Sequence, residues 1–153
     1  MSTNSRRRLL SDFNDLVKGQ YEGLCAAPRD DNILQWQGYI IGPQNTPFED
    51  GTFKLTMNFS EEYPNKPPVV KFITPMFHPN IYEDGAICLD ILTKNWNSTY
   101  HISTILLSIQ SLLDEPNTDS PANKDAAYFF QNNKVEYRKR VNDSVLKSWV
   151  HLD

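Results

Sequence analysis

Nine residues decide the fold class of this chain: Thr52-Phe53-Lys54-Leu55-Thr56-Met57-Asn58-Phe59-Ser60. Apolar and polar residues alternate through them, which is typical of a β-strand with one buried and one solvated face. Further strand signals lie at Asn32 to Ile41, at Val69 to Ile73 and, more briefly, around Gly23 to Ala27. The connections are turn-rich and too short to hold crossover helices. The sequence therefore predicts a four-stranded antiparallel meander, with an apolar face towards helices and a polar face towards solvent.

Helical periodicity lies on both sides of the strands. A first helix is predicted from Ser5 to Lys18, and Gly19 is a plausible stop. Three more helices are predicted after the strands, at Ile102 to Leu113, at Asn123 to Gln131 and from near Lys134. The last has the apolar stripe Tyr137, Val141, Val145 and Trp149. Strands followed by helices predict an α+β fold, and 153 residues predict a single domain over 1–153.

Bulk composition excludes several classes of protein. A net charge of −4 lacks the general attraction that nonspecific nucleic-acid binding uses, so no direct nucleic-acid partner is expected. No run approaches about 18 apolar residues, so no membrane span is expected. The polar, basic N-terminus does not resemble a secretory signal. Two cysteines, Cys25 and Cys88, form no disulfide framework, so a cytoplasmic or nuclear compartment is expected.

Neither the alternation of a strand nor the periodicity of a helix persists from Thr74 to Tyr100. Long irregular stretches in compact domains are usually functional. This stretch contains Asn80 and Cys88, an amide and a thiol eight residues apart, which points towards acyl transfer. An equally good interpretation of Cys88 is a small, buried structural residue, since apolar residues flank it on both sides. Asn80 follows Pro79 and equally fits a turn residue whose side chain bonds backbone.

His78 is the candidate base if the chain is a Cys–His hydrolase. Pro79 restrains it, however, and a restrained histidine more often makes a structural hydrogen bond. The other histidines, His101 and His151, are far from it in sequence. No ligand spacing typical of a metal site occurs, so no bound metal is expected.

Two further features have open interpretations. Leu107 points away from the apolar side of its predicted helix, among Ser103, Thr104 and Ser111, and is either an isolated exposed residue or the centre of a docking surface. Residues 6–8 are three arginines near a helix N-terminus, where the helix dipole disfavours positive charge. They are either a solvated helix end or a surface to which a partner supplies negative charge.

Several motifs together resemble the active-site signature of ubiquitin-conjugating enzymes. They are His78-Pro79-Asn80, then seven residues, then Cys88-Leu89-Asp90-Ile91-Leu92 and Trp96, together with Tyr63-Pro64, Pro67-Pro68 and Ser120-Pro121-Ala122-Asn123. They follow the family's order and spacing over nearly the whole chain. The runs Arg6-Arg7-Arg8-Leu9, Glu49-Asp50-Gly51-Thr52-Phe53 and Tyr63-Pro64-Asn65-Lys66-Pro67-Pro68 most resemble the branch acting in DNA damage tolerance and histone ubiquitination. Protein degradation is a further expected process.

The resemblance implies the family's fold, which is an N-terminal helix, a four-stranded meander, a catalytic segment and three further helices. It implies that Cys88 accepts ubiquitin as a thioester from an activating enzyme. That upstream enzyme uses the ATP, and no cofactor is expected on this chain. A substrate lysine then attacks the thioester with the help of a RING-type ligase. Asn80 would order the loop and stabilise the oxyanion, while His78 and Pro79 would be structural.

The resemblance also implies roles around the thiol. Asp90 and Ser120 would lie near the incoming lysine. Many members have an acidic residue where this chain has Ser120, and Ser120-Pro121 resembles a proline-directed phosphorylation site, so a phosphate would add the missing charge. Leu107 and Ser111 would dock the donor ubiquitin. The surface shared by activating enzymes and ligases would comprise Arg6, Arg7, Arg8, Asn65, Trp96, Asn97, Ser98 and Thr99.

Two departures from the family pattern bear on ligase preference. Ser98 stands where a proline is common, and His101 occupies the N-cap of a helix that Asp or Thr would cap better.

Two other functions remain possible on the residues alone. One is a non-catalytic adaptor of the same fold, against which Cys88 argues, and the other is the hydrolase. The residues do not identify the substrate, the ligase, the ubiquitin linkage or the role of Cys25.

Overall fold

A computed structural model describes residues 3–150 of the chain. These residues form four α-helices, four β-strands and a short 3-10 helix, in an order that confirms the predicted α+β fold. The elements are α1 (Thr3–Gly19), β1 (Leu24–Arg29), β2 (Asn32–Ile41), β3 (Thr52–Asn58), β4 (Val69–Phe72), the 3-10 helix (Asp90–Leu92), α2 (Ile102–Asp114), α3 (Lys124–Asn132) and α4 (Lys134–Val150).

The strands form one antiparallel sheet in the order β1-β2-β3-β4, so the predicted meander is confirmed. Trp36 of β2 pairs with Met57 of β3, and Met57 pairs with Val70 of β4. Because side chains on paired positions point to the same face, this register gathers the apolar residues of three strands on one side of the sheet. That side is buried under the helices.

The core lies between the inner face of the sheet and α2. Leu55 and Met57 of β3 are fully buried, as are Ile105 and Ile109 of α2. The other face is less polar than predicted. It exposes Ile41, Val69 and Ile73, which are each about half accessible to solvent.

Helix α4 packs against β3, where the Thr52 N–H donates to Ser148 Oγ at 3.0 Å. Tyr137, Val141 and Val145 are buried, as the stripe predicted. Trp149 is not, since 48 % of it remains exposed. Its indole N–H donates to the Asp50 carbonyl at 2.9 Å, which holds the ring at the rim of the core. No helix within residues 3–150 is long and apolar enough to cross a membrane.

Candidate active site

A tight hairpin brings Cys88 next to Asn80. Ile81 and Ile87 form an antiparallel bridge, the Tyr82 N–H bonds the Ala86 carbonyl, and the Cys88 N–H bonds the Asn80 carbonyl at 2.8 Å. The turn depends on Gly85, which has a φ of +91° and whose absent Cβ would lie 2.1 Å from a carbonyl oxygen of β4. The predicted pair is therefore joined through the backbone, and the Cys88 side chain is half-buried at the end of the hairpin.

His78 is fully buried and both of its ring nitrogens are occupied. Nδ1 lies 3.0 Å from the backbone nitrogen of Asn80, and Nε2 lies 2.6 Å from the Leu112 carbonyl oxygen. Since a backbone N–H can only donate and a carbonyl can only accept, the ring is neutral with its proton on Nε2. Burial lowers the pKa of His78 to about 4, although the Leu112 carbonyl acts in the opposite direction. His78 has no free nitrogen with which to activate a thiol, so the hydrolase interpretation loses its base.

The other histidines do not replace it. His101 lies at the start of α2 and faces Asp12, where its Nδ1 is 3.0 Å from a carboxylate oxygen. The backbone N–H of His101 bonds Thr104 Oγ1 at 3.3 Å. The hydroxyl of Thr104 therefore compensates for a residue that was expected to be a poor cap. His151 lies outside the described residues.

The Asn80 side chain ties the hairpin to the loop at residues 115–123. Its Nδ2 donates to the Asn117 carbonyl at 2.6 Å, and its Oδ1 accepts from the Asn117 N–H at 2.8 Å. The Pro79 carbonyl accepts from the N–H groups of Ala122 and Asn123. Asn80 is itself 2 % exposed, so these bonds form in a largely dry environment. The 115–123 loop is thus fastened on both sides of Ser120.

Asp90 and Ser120 are both exposed and lie on different segments of the chain. Asp90 opens the 3-10 helix two residues after Cys88, and its carboxylate is 3.9 Å from Lys94 Nζ. An exposed ion pair of this length adds little stability, so the Asp90 carboxylate stays available to a partner. Ser120 lies in the 115–123 loop that Asn80 and Pro79 hold.

The residues predicted to form the shared partner surface are brought together. The Trp96 indole N–H donates to the Pro64 carbonyl at 2.9 Å, which joins the segment after the 3-10 helix to the segment before β4. Asn97 Oδ1 accepts from both the N–H and the hydroxyl of Thr99, which shapes the exposed turn containing Ser98. Asn65 is exposed next to Pro64 in sequence, and Arg6 and Arg7 are exposed on α1, whose Arg8 bonds the Ser98 carbonyl.

Arg8 differs from the other two arginines. Its side chain is only 21 % exposed and it forms an ion pair with Asp12 at 2.9 Å. The interpretation of residues 6–8 as a uniformly solvated helix end is therefore wrong for Arg8. The negative charge comes from Asp12, one turn further along the same helix.

Sequence reasoning missed Asp12, which is 1 % exposed, and Asn117. Asp12 also accepts a short hydrogen bond from the Tyr63 hydroxyl, and burial together with this carboxylate raises the pKa of Tyr63. The i,i+4 spacing of Arg8 and Asp12 was a usable signal for the ion pair. Nothing in the sequence indicated that the backbone of Asn117 meets Asn80.

One group of side chains has the composition of a metal site. Asp12, Asp15 and His101 each place one potential ligand atom within 4.8 Å of the others. Both Asp12 oxygens already accept hydrogen bonds, one from Tyr63 and one from Arg8. The chemistry of this group is therefore that of an internal ion-pair network.

The sequence leaves open the roles of Leu107 and Cys25, and both side chains are exposed. Leu107 is 39 % exposed and Ser111 is exposed beside it, so the prediction that Leu107 points away from the core is confirmed. Ser103 was placed on the same side of α2, but it is 8 % exposed because it lies at the boundary of the buried face. Cys25 is exposed on β1.

Comparisons with known proteins identify the family. The model of the family described as ubiquitin-conjugating enzyme matches residues 8–145. The chain is 60 % identical over 152 residues to ubiquitin-conjugating enzyme E2 1 of Caenorhabditis elegans. This alignment covers 99 % of this chain and 79 % of that protein. It is 54 % identical over 149 residues to ubiquitin-conjugating enzyme E2 2 of Neurospora crassa and 55 % identical to that of Aspergillus fumigatus. Each of these two alignments covers 97 % of this chain and 99 % of the relative.

The match extends from α1 into α4 and includes the Asn80–Cys88 hairpin and the 115–123 loop. Relatives above 50 % identity over nearly the full chain leave no doubt about descent. The chain belongs to the ubiquitin-conjugating enzyme family.

Proposed function

We propose that Cys88 carries ubiquitin between two partners as a thioester. Its thiolate attacks the carbonyl of the thioester on the activating enzyme, a new C–S bond forms, the C–S bond to the activating enzyme's cysteine breaks, and that cysteine leaves as a thiolate. A lysine amine of the substrate then attacks the Cys88 thioester, so that an isopeptide bond forms and the Cys88 thiol is released. Members of this family work in general with ubiquitin, an activating enzyme and a ligase, and they typically need no bound cofactor.

The observation that carries the proposal is the connection from Cys88 through Asn80 to the 115–123 loop. The Cys88 N–H bonds the Asn80 carbonyl, and the Asn80 amide bonds both backbone groups of Asn117. The backbone of Cys88 is thereby joined to an ordered amide and an ordered loop, and His78 has no free ring nitrogen with which to act as a base. This arrangement suits thioester exchange, which is nearly balanced in bond energy and needs an accessible thiol more than a strong base.

The second step makes greater demands, because a lysine amine is protonated near pH 7. We propose that Asn80 acts mainly here. Its side-chain amide has two N–H donors and one of them bonds Asn117, which leaves the other for the oxyanion. Asp90 and Ser120, which are both exposed, would assist the incoming lysine. Desolvation at the closed site would lower the pKa of that lysine.

The partner surfaces proposed are those that the family resemblance implies. Leu107 and Ser111 would pack against the donor ubiquitin. Arg6, Arg7, Asn65, Asn97, Ser98 and Thr99 would contact the activating enzyme and a RING-type ligase, with Trp96 supporting them. We further propose one catalytic domain over residues 1–153, no metal, no cofactor and no direct nucleic-acid contact. The expected setting is the cytoplasm or the nucleus, in DNA damage tolerance, histone ubiquitination and protein degradation.

The test uses the two cysteines as each other's control. Wild type, Cys25→Ser and Cys88→Ala are incubated with activating enzyme, ATP and ubiquitin, and are separated without reductant. Wild type and Cys25→Ser should gain one ubiquitin that dithiothreitol removes, while Cys88→Ala should gain none. A reducible adduct on Cys88→Ala would refute the assignment of the thiol. A wild type that binds ubiquitin but never forms an adduct would support the adaptor function instead.

A further inference from the structure

We propose that Arg8 is a positioning residue for the activating enzyme and the ligase. It acts through the backbone of residues 98–100, which it holds, and does not touch either partner. The proposal rests on the proposed function, because that function defines the two partners. It separates Arg8 from Arg6 and Arg7, which the resemblance groups with it.

All three guanidinium nitrogens of Arg8 are used inside the molecule. Nε donates to Asp12 Oδ1 at 2.9 Å, Nη1 donates to the Ser98 carbonyl at 2.8 Å, and Nη2 donates to the Tyr100 carbonyl at 2.6 Å. The two carbonyls lie 90 and 92 residues away in sequence. Arg8 therefore connects α1 to a segment that is distant from it in sequence.

Asp12 sets the orientation of the Arg8 guanidinium. Asp12, whose side chain is fully buried, also accepts from the Tyr63 hydroxyl and lies beside His101. The Arg8 guanidinium carbon lies 5.7 Å from the centroid of the Tyr63 ring. A carboxylate with several partners in a dry site cannot rotate freely, so the planar group bonded to it points in one direction.

The segment held by Arg8 has little structure of its own. Residues 97–99 are exposed, and their local bonds are those within the turn from Asn97 to Tyr100. On the far side, the Tyr100 ring packs edge-on against Trp96, with ring centroids 5.7 Å apart. The turn is thus held by an aromatic contact on one side and by Arg8 on the other. Loss of Arg8 should release two of its carbonyls at once.

Arginine is required for this role, and lysine cannot replace it. A lysine retains the charge, but its single nitrogen cannot span Asp12 and two carbonyls in a fixed fork. A direct electrostatic contact with a partner, in contrast, would survive the change to lysine largely intact. Arg8→Lys therefore distinguishes positioning from contact.

The experiment measures two properties of three variants. Amide NMR spectra of the uncharged protein report the backbone at residues 97–101, and charging kinetics with varied amounts of this protein give KM and kcat for the activating enzyme. Arg8→Lys should shift the amides of 97–101 and raise KM on the order of tenfold, with kcat within about twofold. Arg7→Ala should raise KM without shifting those amides. Arg138→Lys, an exposed arginine on α4, should change neither and serves as the matched control.

Asp12→Asn supplies a second measurement if Arg8→Lys does not fold. It keeps an acceptor for Arg8 but weakens the anchor, so smaller shifts are expected at the amides of residues 97–99, with His101 left out because it contacts Asp12 directly. Unmoved amides in Arg8→Lys would overturn the proposal at any KM, because the turn would then be ordered without Arg8. Shifted amides with an unchanged KM would show that the turn does not matter for binding. Failure of wild type to charge would instead refute the proposed function, and the amide measurement would remain interpretable.

Discussion

Replacement of Asn80 by Ala should separate the two chemical steps. The change removes the side-chain amide that bonds both backbone groups of Asn117 and leaves the backbone bond from Cys88 to residue 80 in place. Because Pro79 still accepts from Ala122 and Asn123, one side of the 115–123 loop remains fastened. The thiol should therefore stay in position while its surroundings loosen.

Two magnitudes follow from these contacts. Two lost hydrogen bonds, at about 1 kcal/mol each, predict that the free energy of unfolding falls by about 2 kcal/mol. Loss of one oxyanion donor predicts a slower attack by lysine, by roughly 10²–10³. Charging should be largely intact, since thioester exchange depends less on oxyanion stabilisation than amine attack does.

The assay is a pulse-chase experiment on the charged protein. Charging is timed with excess activating enzyme, then stopped by removal of ATP, and discharge is timed after addition of free lysine. Hydrogen exchange at the Asn117 amide reports whether the loop has loosened, and urea unfolding reports the stability. An equal loss of charging and discharge would refute the division of roles assigned to Asn80, as would discharge at the wild-type rate.

Three further results are expected. Leu107→Arg should weaken ligase-stimulated discharge without altering the circular dichroism spectrum, and an unchanged stimulated rate would remove Leu107 from the docking surface. The native state binds a proton at His78 only near pH 4, whereas the unfolded state does so near 6.5, so stability should fall as the pH falls. Protonation of His78 alone should lower the free energy of unfolding by about 2 kcal/mol between pH 7.5 and pH 5, so His78→Gln should lose less stability than wild type in urea titrations at the two pH values. Ser120→Asp should raise the rate of lysine discharge above that of Ser120→Ala, and equal rates would argue against a role for phosphorylation.

The sheet and most helices could be predicted because their signals are local. The alternation in Thr52 to Ser60 needs only neighbouring residues, and the predicted limits of β2, Asn32 and Ile41, match those observed. Trp149 was misplaced because periodicity cannot show where a buried face ends. The apolar residues on the outer face of the sheet were not predicted for a related reason. Alternation separates the two faces of a sheet but does not show which apolar residues remain exposed.

The arrangement of the candidate site was predictable in part. Motif order indicated Cys88, Asn80 and Ser120, and the hairpin and the 115–123 loop are the segments on which they lie. The contacts that join these segments were not predictable, because Asn80 and Asn117 are 37 residues apart and meet through backbone atoms. Arg8 presents the same difficulty, since its two carbonyl partners carry no side-chain signal.

The central claim is that Cys88 passes its acyl group to an amine and not to water. Its most direct test is single-turnover discharge of the charged Cys25→Ser protein, followed by mass spectrometry with and without free lysine. As the thioester decays, ubiquitin joined to lysine should accumulate at a rate that rises with the lysine concentration. Decay to free ubiquitin at the same rate with and without lysine would contradict the account, because it would show a hydrolase.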